Sequence, residues 1–264
     1  MYPYNFAEYL DAHQVAHTKT AQTATKTRAI LQHHFDEYLQ YGGFPEGINL
    51  PSKRDYLMSV YQKIYLGDIA ARHRIENAFA LRFLFKKLSE SIMQPLSFTR
   101  LANLITSTGS KISKATVINY MEYAKDSYLI FSIKNIASHI AEREGNPKYY
   151  FVDNGIISLL TLNAESALLE NMVAMELMRR YGQDNQVFFY NDKVEVDFYI
   201  PETGTAIQVS MYPHESNETW RRETEALVRM NKHLPCSTHL LLTMNEEDTI
   251  IIDGITIHMI PIRK

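Results

Sequence analysis

Apolar positions change their spacing along the chain, and the changes divide it into three stretches. Over roughly residues 1–75 the spacing is helical. Phe6, Tyr9 and Leu10 recur at i, i+3 and i+4, and Ile30, Leu31, Phe35 and Leu39 mark a second helix face. Tyr41-Gly42-Gly43-Phe44-Pro45 stops that helix, because glycine accepts the left-handed cap conformation and proline cannot continue the ladder. A third helix is predicted through Tyr56, Val60, Ile64 and Ile69. The Thr- and Ala-rich run 18–27 between the first two reads as a connection.

Over roughly 76–152 the pattern predicts three helices and two strands. The helices run over Leu81–Met93, from Ser97 through Leu101, Leu104 and Ile105, and from a Ser113 cap to about Asp126 with a Val117, Met121, Ala124 stripe. Leu129–Ile133 and Tyr149–Val152 are strand-like, and the order describes a winged helix-turn-helix. Over roughly 153–264 the order is a helix from Ala167 to Tyr181, strands at 187–190, 194–200 and 205–209, a helix from Glu218 to Leu234, and strands at 239–243 and 250–252. That is an α/β arrangement around a mixed sheet, so the fold class expected for the whole is α+β and multidomain.

Composition narrows this little. The 264 residues are 45 % hydrophobic and carry a formal charge of −3, so any nucleic-acid contact needs a local basic patch. Cys236 is the only cysteine, which excludes an intrachain disulfide and suits a reducing, cytoplasmic location. No secretory leader pattern follows Met1, and no run approaches the roughly 18 apolar residues of a membrane span, so no membrane partner is expected.

The local patch exists. Residues 82–126 hold Arg82, Lys86, Lys87, Arg100, Lys111, Lys114 and Lys125 against Glu90, Glu122 and Asp126, an excess of four positive charges. Arg100, Lys111, Lys114, Thr116 and Asn119 are the candidate contacts to double-stranded DNA, with Asn119 suited to an adenine edge. Glu122 on the same helix face works against that role, and a segment that only packs on other domains fits the pattern equally. In the third stretch Glu195, Asp197 and Tyr199 alternate along one strand, and Gln208 and Ser210 along the next. With Glu170 of the preceding helix they form a candidate acidic site, and Glu170 and Asp197 are the two carboxylates that would hold a weakly bound Mg²⁺. The bland alternative is a set of polar groups satisfied at a sheet edge. His13 and His17, four apart, are a minor zinc candidate without an evident third ligand. No G-x-x-x-x-G-K-[ST] loop occurs, so ATP hydrolysis is not expected.

These pieces resemble a known family. Pro3-Tyr4-Asn5-Phe6-Ala7-Glu8-Tyr9-Leu10, Tyr38–Glu46, Ile64–Ile69, Ser113–Tyr120, Tyr150–Gly155, Leu168–Ala174 and Glu195-Val196-Asp197-Phe198 are similar, in order, to the C-terminal part of prokaryotic AAA-type ATPases whose core is followed by a domain of unknown function. The resemblance implies a helical lid remnant (1–75), a winged helix (76–152) and a restriction-endonuclease-like PD-(D/E)xK domain (153–264). It also implies a chain that begins beyond the ATPase's phosphate-binding loop. The family's E-V-D-F is present at Glu195–Phe198, but Ile207-Gln208-Val209-Ser210 stands where I-E-V-K is expected. Gln208 replaces a carboxylate and Ser210 replaces the lysine. The expectation is therefore a non-catalytic module that binds nucleic acid, or binds another protein or its own copy through the helical start. A Mg²⁺-dependent nuclease using Glu170 and Asp197, and a vestigial fragment without activity, are the other two readings.

Overall fold

The computed structural model describes residues 2–17, 25–138, 146–182 and 186–263. It is a mixed α+β structure that divides into two compact units, Met1–Ser91 with Phe98–Phe131 and Phe151–Ala164, and Ile92–Ser97 with Ser132–Tyr150 and Glu165–Lys264.

The first unit is built from helices. α1 (Phe6–Ala12) starts on a capping box: the Asn5 side chain accepts from the Glu8 N–H at 2.8 Å and the Glu8 carboxylate accepts from the Asn5 N–H at 2.7 Å. α2 (Thr25–Tyr41) ends where Gly42 takes a φ of +74°. α3 (Lys53–Gln62) continues into a π-helical segment, Lys63–Ala71, so the single helix expected through Ile69 changes register midway. α4 (Ala78–Ser89), α5 (Phe98–Ser107), α6 (Lys114–Asp126) and α7 (Asn154–Leu160) complete it. Phe35, Ile69, Leu81, Leu84, Phe85, Ile105, Val117 and Met121 are buried, so the apolar stripes read from the sequence do face a core. Leu10 and Phe35 of the helical start are covered within this same unit, and Phe6 packs edge-on to Phe35 with ring centroids 5.2 Å apart.

Asp153 pins the end of α2. Fully buried, it caps α7 by accepting from the Gly155 N–H and accepts from the Gly43 N–H, both at 2.8 Å. Burial pushes its carboxyl up to about 7 against those two backbone donors.

The second unit holds one eight-stranded mixed sheet. Its strands are β1 (Ile130–Asn135), β2 (Lys148–Phe151), β3 (Phe188–Asn191), β4 (Glu195–Ile200), β5 (Thr205–Ser210), β6 (Thr238–Thr243), β7 (Asp248–Ile252) and β8 (Ile255–Pro261). Their order is β2-β1-β3-β4-β5-β6-β8-β7. β1/β3, β5/β6 and β6/β8 are parallel, while β3/β4, β4/β5 and β7/β8 are antiparallel. α8 (Glu165–Tyr181) and α9 (Asn217–Met230) belong to this unit, and Ala226, Leu227 and Met230 of α9 pack into a core with Val196, Tyr199, Leu241 and Met259. The two strands predicted after the third helix are present, and they extend this sheet through the β1/β3 pairing.

Candidate functional site

Three of the residues that the sequence places in an acidic site, Glu170, Glu195 and Asp197, lie around a cation that the sequence reading missed. Lys148, on β2, is fully buried. Its Nζ lies 3.2 Å from Glu195 Oε1, 3.3 Å from Asp197 Oδ1 and 3.6 Å from Glu170 Oε1. Lys148 and Tyr150 alternate along β2, and the Tyr150 hydroxyl donates to Glu170 Oε1 at 2.7 Å. The site thus draws on β2, β4 and α8. It opens to solvent at Glu195, whose side chain is 48 % exposed. The signal for Lys148 was a lone charge at the start of the apolar run Tyr149–Val152, where a buried lysine requires partners.

Gln208 does not reach that cation. Its Oε1 accepts from the Asp197 N–H at 2.8 Å, and its Nε2 donates to Glu223 Oε2 at 2.7 Å. The other Asp197 oxygen accepts from the Val209 N–H at 3.0 Å. Arg222 covers Glu223 at 2.5 Å, and burial still leaves the Glu223 carboxyl above its ordinary range. Ser210 is buried at the end of β5. Tyr199 leaves the group, because Tyr190 pairs with Val196 and Phe188 with Tyr199, which gives β4 one extra residue. That bulge reverses the alternation. Tyr199 joins Val196 in the core and donates to the Pro235 carbonyl at 2.7 Å.

The same atoms test the fit of Mg²⁺. Oxygens at about 2.0–2.1 Å in near-octahedral array are what that ion needs. Here an ammonium sits among all three carboxylates, and the position expected to bring another holds an amide committed to Glu223. The residues do not fit the ion in this arrangement.

Burial pushes the Glu170 carboxyl up to about 8, and the Asp197 charge adds to the rise while Lys148 and Tyr150 oppose it. A folded-state value above the unfolded one means that the folded chain holds a proton the unfolded chain has released. The stabilisation is complete below the ordinary Glu value and is lost as pH rises through about 8. Asp153 adds the same sign up to about 7. Urea midpoints are therefore expected to fall between about pH 5 and 8. Glu170→Gln should remove up to about 1.4 kcal/mol per pH unit from the slope. Parallel profiles for parent and variant would contradict this titration.

The helix pair α5–α6 carries the basic candidates. Ser113 caps α6 by accepting from the Thr116 N–H at 3.0 Å, and the Ser113 and Thr116 hydroxyls lie 2.8 Å apart. Val117, Tyr120, Met121 and Ala124 are buried, which leaves Lys111, Lys114 and Asn119 outside that core; Arg100 is exposed on α5. Lys125 Nζ lies 3.1 Å from both Glu122 oxygens, so the acid that opposed a DNA role is neutralised in place.

His13 and His17, the minor zinc candidate of the sequence, do not share a helix face. α1 ends at Ala12, and His17 turns to the Val15 carbonyl at 3.2 Å. His13 packs instead on His34, with ring centroids 4.9 Å apart.

Among the described residues no helix is long and apolar enough to cross a membrane. Residues 32–167, from α2 to the first turn of α8, match the family described as "Domain of unknown function (DUF8612)". The chain belongs to this family. It is 32 % identical over 254 residues to "Uncharacterized protein MJ1544" of Methanocaldococcus jannaschii, an alignment covering 93 % of this chain and 56 % of that protein. It is also 26 % identical over 230 residues to an "Uncharacterized protein" of Haemophilus influenzae, covering 83 % and 54 %. The chain spans a little over half the length of these curated relatives. No solved structure matches it. The family match includes Lys148 and α5–α6 but stops short of Glu170, Glu195 and Asp197.

Proposed function

We propose that this chain is a non-catalytic nucleic-acid-binding module, with α4–α6 of the first unit acting as the helices of a winged-helix fold and the second unit as a nuclease-like domain that does not cleave. The observation carrying the binding half is the N-terminal end of α6. Lys111, Lys114 and Asn119 lie outside the core there, and Glu122, the residue that argued against DNA, is occupied by Lys125. Phosphate contact from such lysines gives affinity with little sequence preference. The non-catalytic half rests on Lys148, which takes the centre of the carboxylate group, and on Gln208, which brings no charge. Descent from an AAA-type ATPase, with α1–α3 as a lid remnant, is part of the same proposal and rests on the sequence resemblance.

The test is salt dependence. Binding of a short DNA duplex is expected to weaken between about 50 and 200 mM salt. Lys111→Ala with Lys114→Ala should reduce the log–log slope by about 0.9 for each phosphate that is no longer neutralised. An unchanged slope in the double variant would place the binding face elsewhere, and no binding by the parent would end the proposal.

A further inference from the structure

We propose that His13, His34 and Glu37 form a binding site for a divalent transition-metal ion of the zinc class. One ligand atom from each lies within 4.8 Å of the other two, all in the first unit. Ligands at about 2.0–2.1 Å around a tetrahedral ion stand about 3.4 Å apart, so a modest contraction closes the set. Two imidazoles and one carboxylate with a place left for water are a donor set that suits zinc, and one that iron(II) and cobalt(II) also accept.

The elements hold the three residues without help from an ion. His34 and Glu37 stand three apart on α2, one above the other on a helix face. His13 follows the last turn of α1 and is held between the Tyr9 ring, with centroids 4.5 Å apart, and the His34 ring. The carboxylate is already aimed. Glu37 Oε2 accepts from the Tyr9 hydroxyl at 2.9 Å, and Oε1 lies 2.8 Å from Lys53 Nζ. Each oxygen keeps a lone pair for a metal, and such outer partners fix a ligand's orientation.

A second, independent observation points to a ligand. His13 Nε2 and His34 Nδ1 are buried and have no hydrogen-bond partner among the described residues. Buried ring nitrogens are ordinarily satisfied, so two without a hydrogen-bond partner, on adjacent rings beside a carboxylate, are donors available to a cation. Lys53 weakens the attraction for a cation, so the site should be selective for good nitrogen ligation and poor for Mg²⁺ or Ca²⁺, which want oxygen.

The experiment uses the full chain after chelator treatment, titrated with Zn²⁺, Co²⁺ and Mg²⁺ by calorimetry and, for Co²⁺, by visible absorption. One Zn²⁺ or Co²⁺ per chain is expected, with ligand-field bands of low-symmetry cobalt and no saturable Mg²⁺ heat. His34→Ala and Glu37→Gln should each weaken Zn²⁺ by more than about a hundredfold, beyond the roughly 10–100-fold typical of losing an outer partner. His33→Ala should bind as the parent does. If His34→Ala fails to fold by circular dichroism, His13→Ala, beyond the end of α1, takes its place. Absence of saturable Zn²⁺ binding, or parent-like affinity in the histidine variant, overturns the proposal.

Discussion

Lys148→Met is expected to destabilise the second unit by about 3–5 kcal/mol at neutral pH, the usual cost of stripping one partner from a buried ion pair. Methionine has nearly the same volume, so no cavity term confuses the result. The variant removes the ammonium that lies within 3.6 Å of Glu170, Glu195 and Asp197. Two of those side chains have almost no water to turn to, being 1 % and 13 % exposed. Glu170, its carboxyl pushed up to about 8, already holds a proton at neutral pH, so the charge left without its partner is chiefly that of Asp197. The variant should therefore recover ground against the parent as pH falls, and Asp197→Asn in the same chain should restore part of the stability. A loss below about 1 kcal/mol that does not change with pH would show that the cluster does not depend on its lysine, since surface pairs contribute in that range.

Gly42→Ala is expected to unfold or severely weaken the first unit, at a cost of about 3–5 kcal/mol, the upper end of single-residue effects. Two effects act together. Gly42 sits at a φ of +74°, where a residue with a Cβ loses roughly 1–2 kcal/mol. The new Cβ would also stand 1.8 Å from Asp153 Oδ1 and 2.3 Å from its Cγ. Asp153 is fully buried, so it has no open direction in which to move. Displacing it breaks the bonds from the Gly43 and Gly155 N–H groups and uncaps α7. Each such bond contributes about 0.5–3 kcal/mol, depending on how far the carboxyl is ionised. Thermal melts of Gly42→Ala, Asp153→Ala and the double variant separate the causes. Once Asp153 is gone, the glycine substitution should cost only the backbone part, a non-additivity that marks direct contact. Simple addition of the two effects would deny that Gly42 and Asp153 touch.

Much of the fold was legible because periodicity and stop signals agree. The Val117, Met121, Ala124 stripe and the Ser113 cap located α6, and alternation located β4 and β5. What escaped depended on contacts between distant segments. Lys148 looks like any strand-flanking charge until β2, β4 and α8 are brought together. The bulge in β4 moved Tyr199 from the expected polar face to the core, and no local signal announces one inserted residue. β8 was missed although its signal was present. Asp253-Gly254, at φ of +52° and +78°, is the two-residue turn that favours a hairpin after β7. His34 and Glu37 were hidden because the third ligand, His13, lies twenty-one residues before His34, across the Thr- and Ala-rich connection.

The central claim is binding without cleavage, and one tube tests both halves. A fluorescently labelled DNA duplex is titrated with the protein in Mg²⁺, and again in Mn²⁺, while anisotropy reports binding. The same samples are then run on a denaturing gel, beside an Asp197→Ala variant. A saturable rise in anisotropy, equal for parent and variant, is expected, with the DNA left at full length in every lane. DNA cut by the parent and spared by Asp197→Ala would contradict the claim and make the carboxylate site a nuclease.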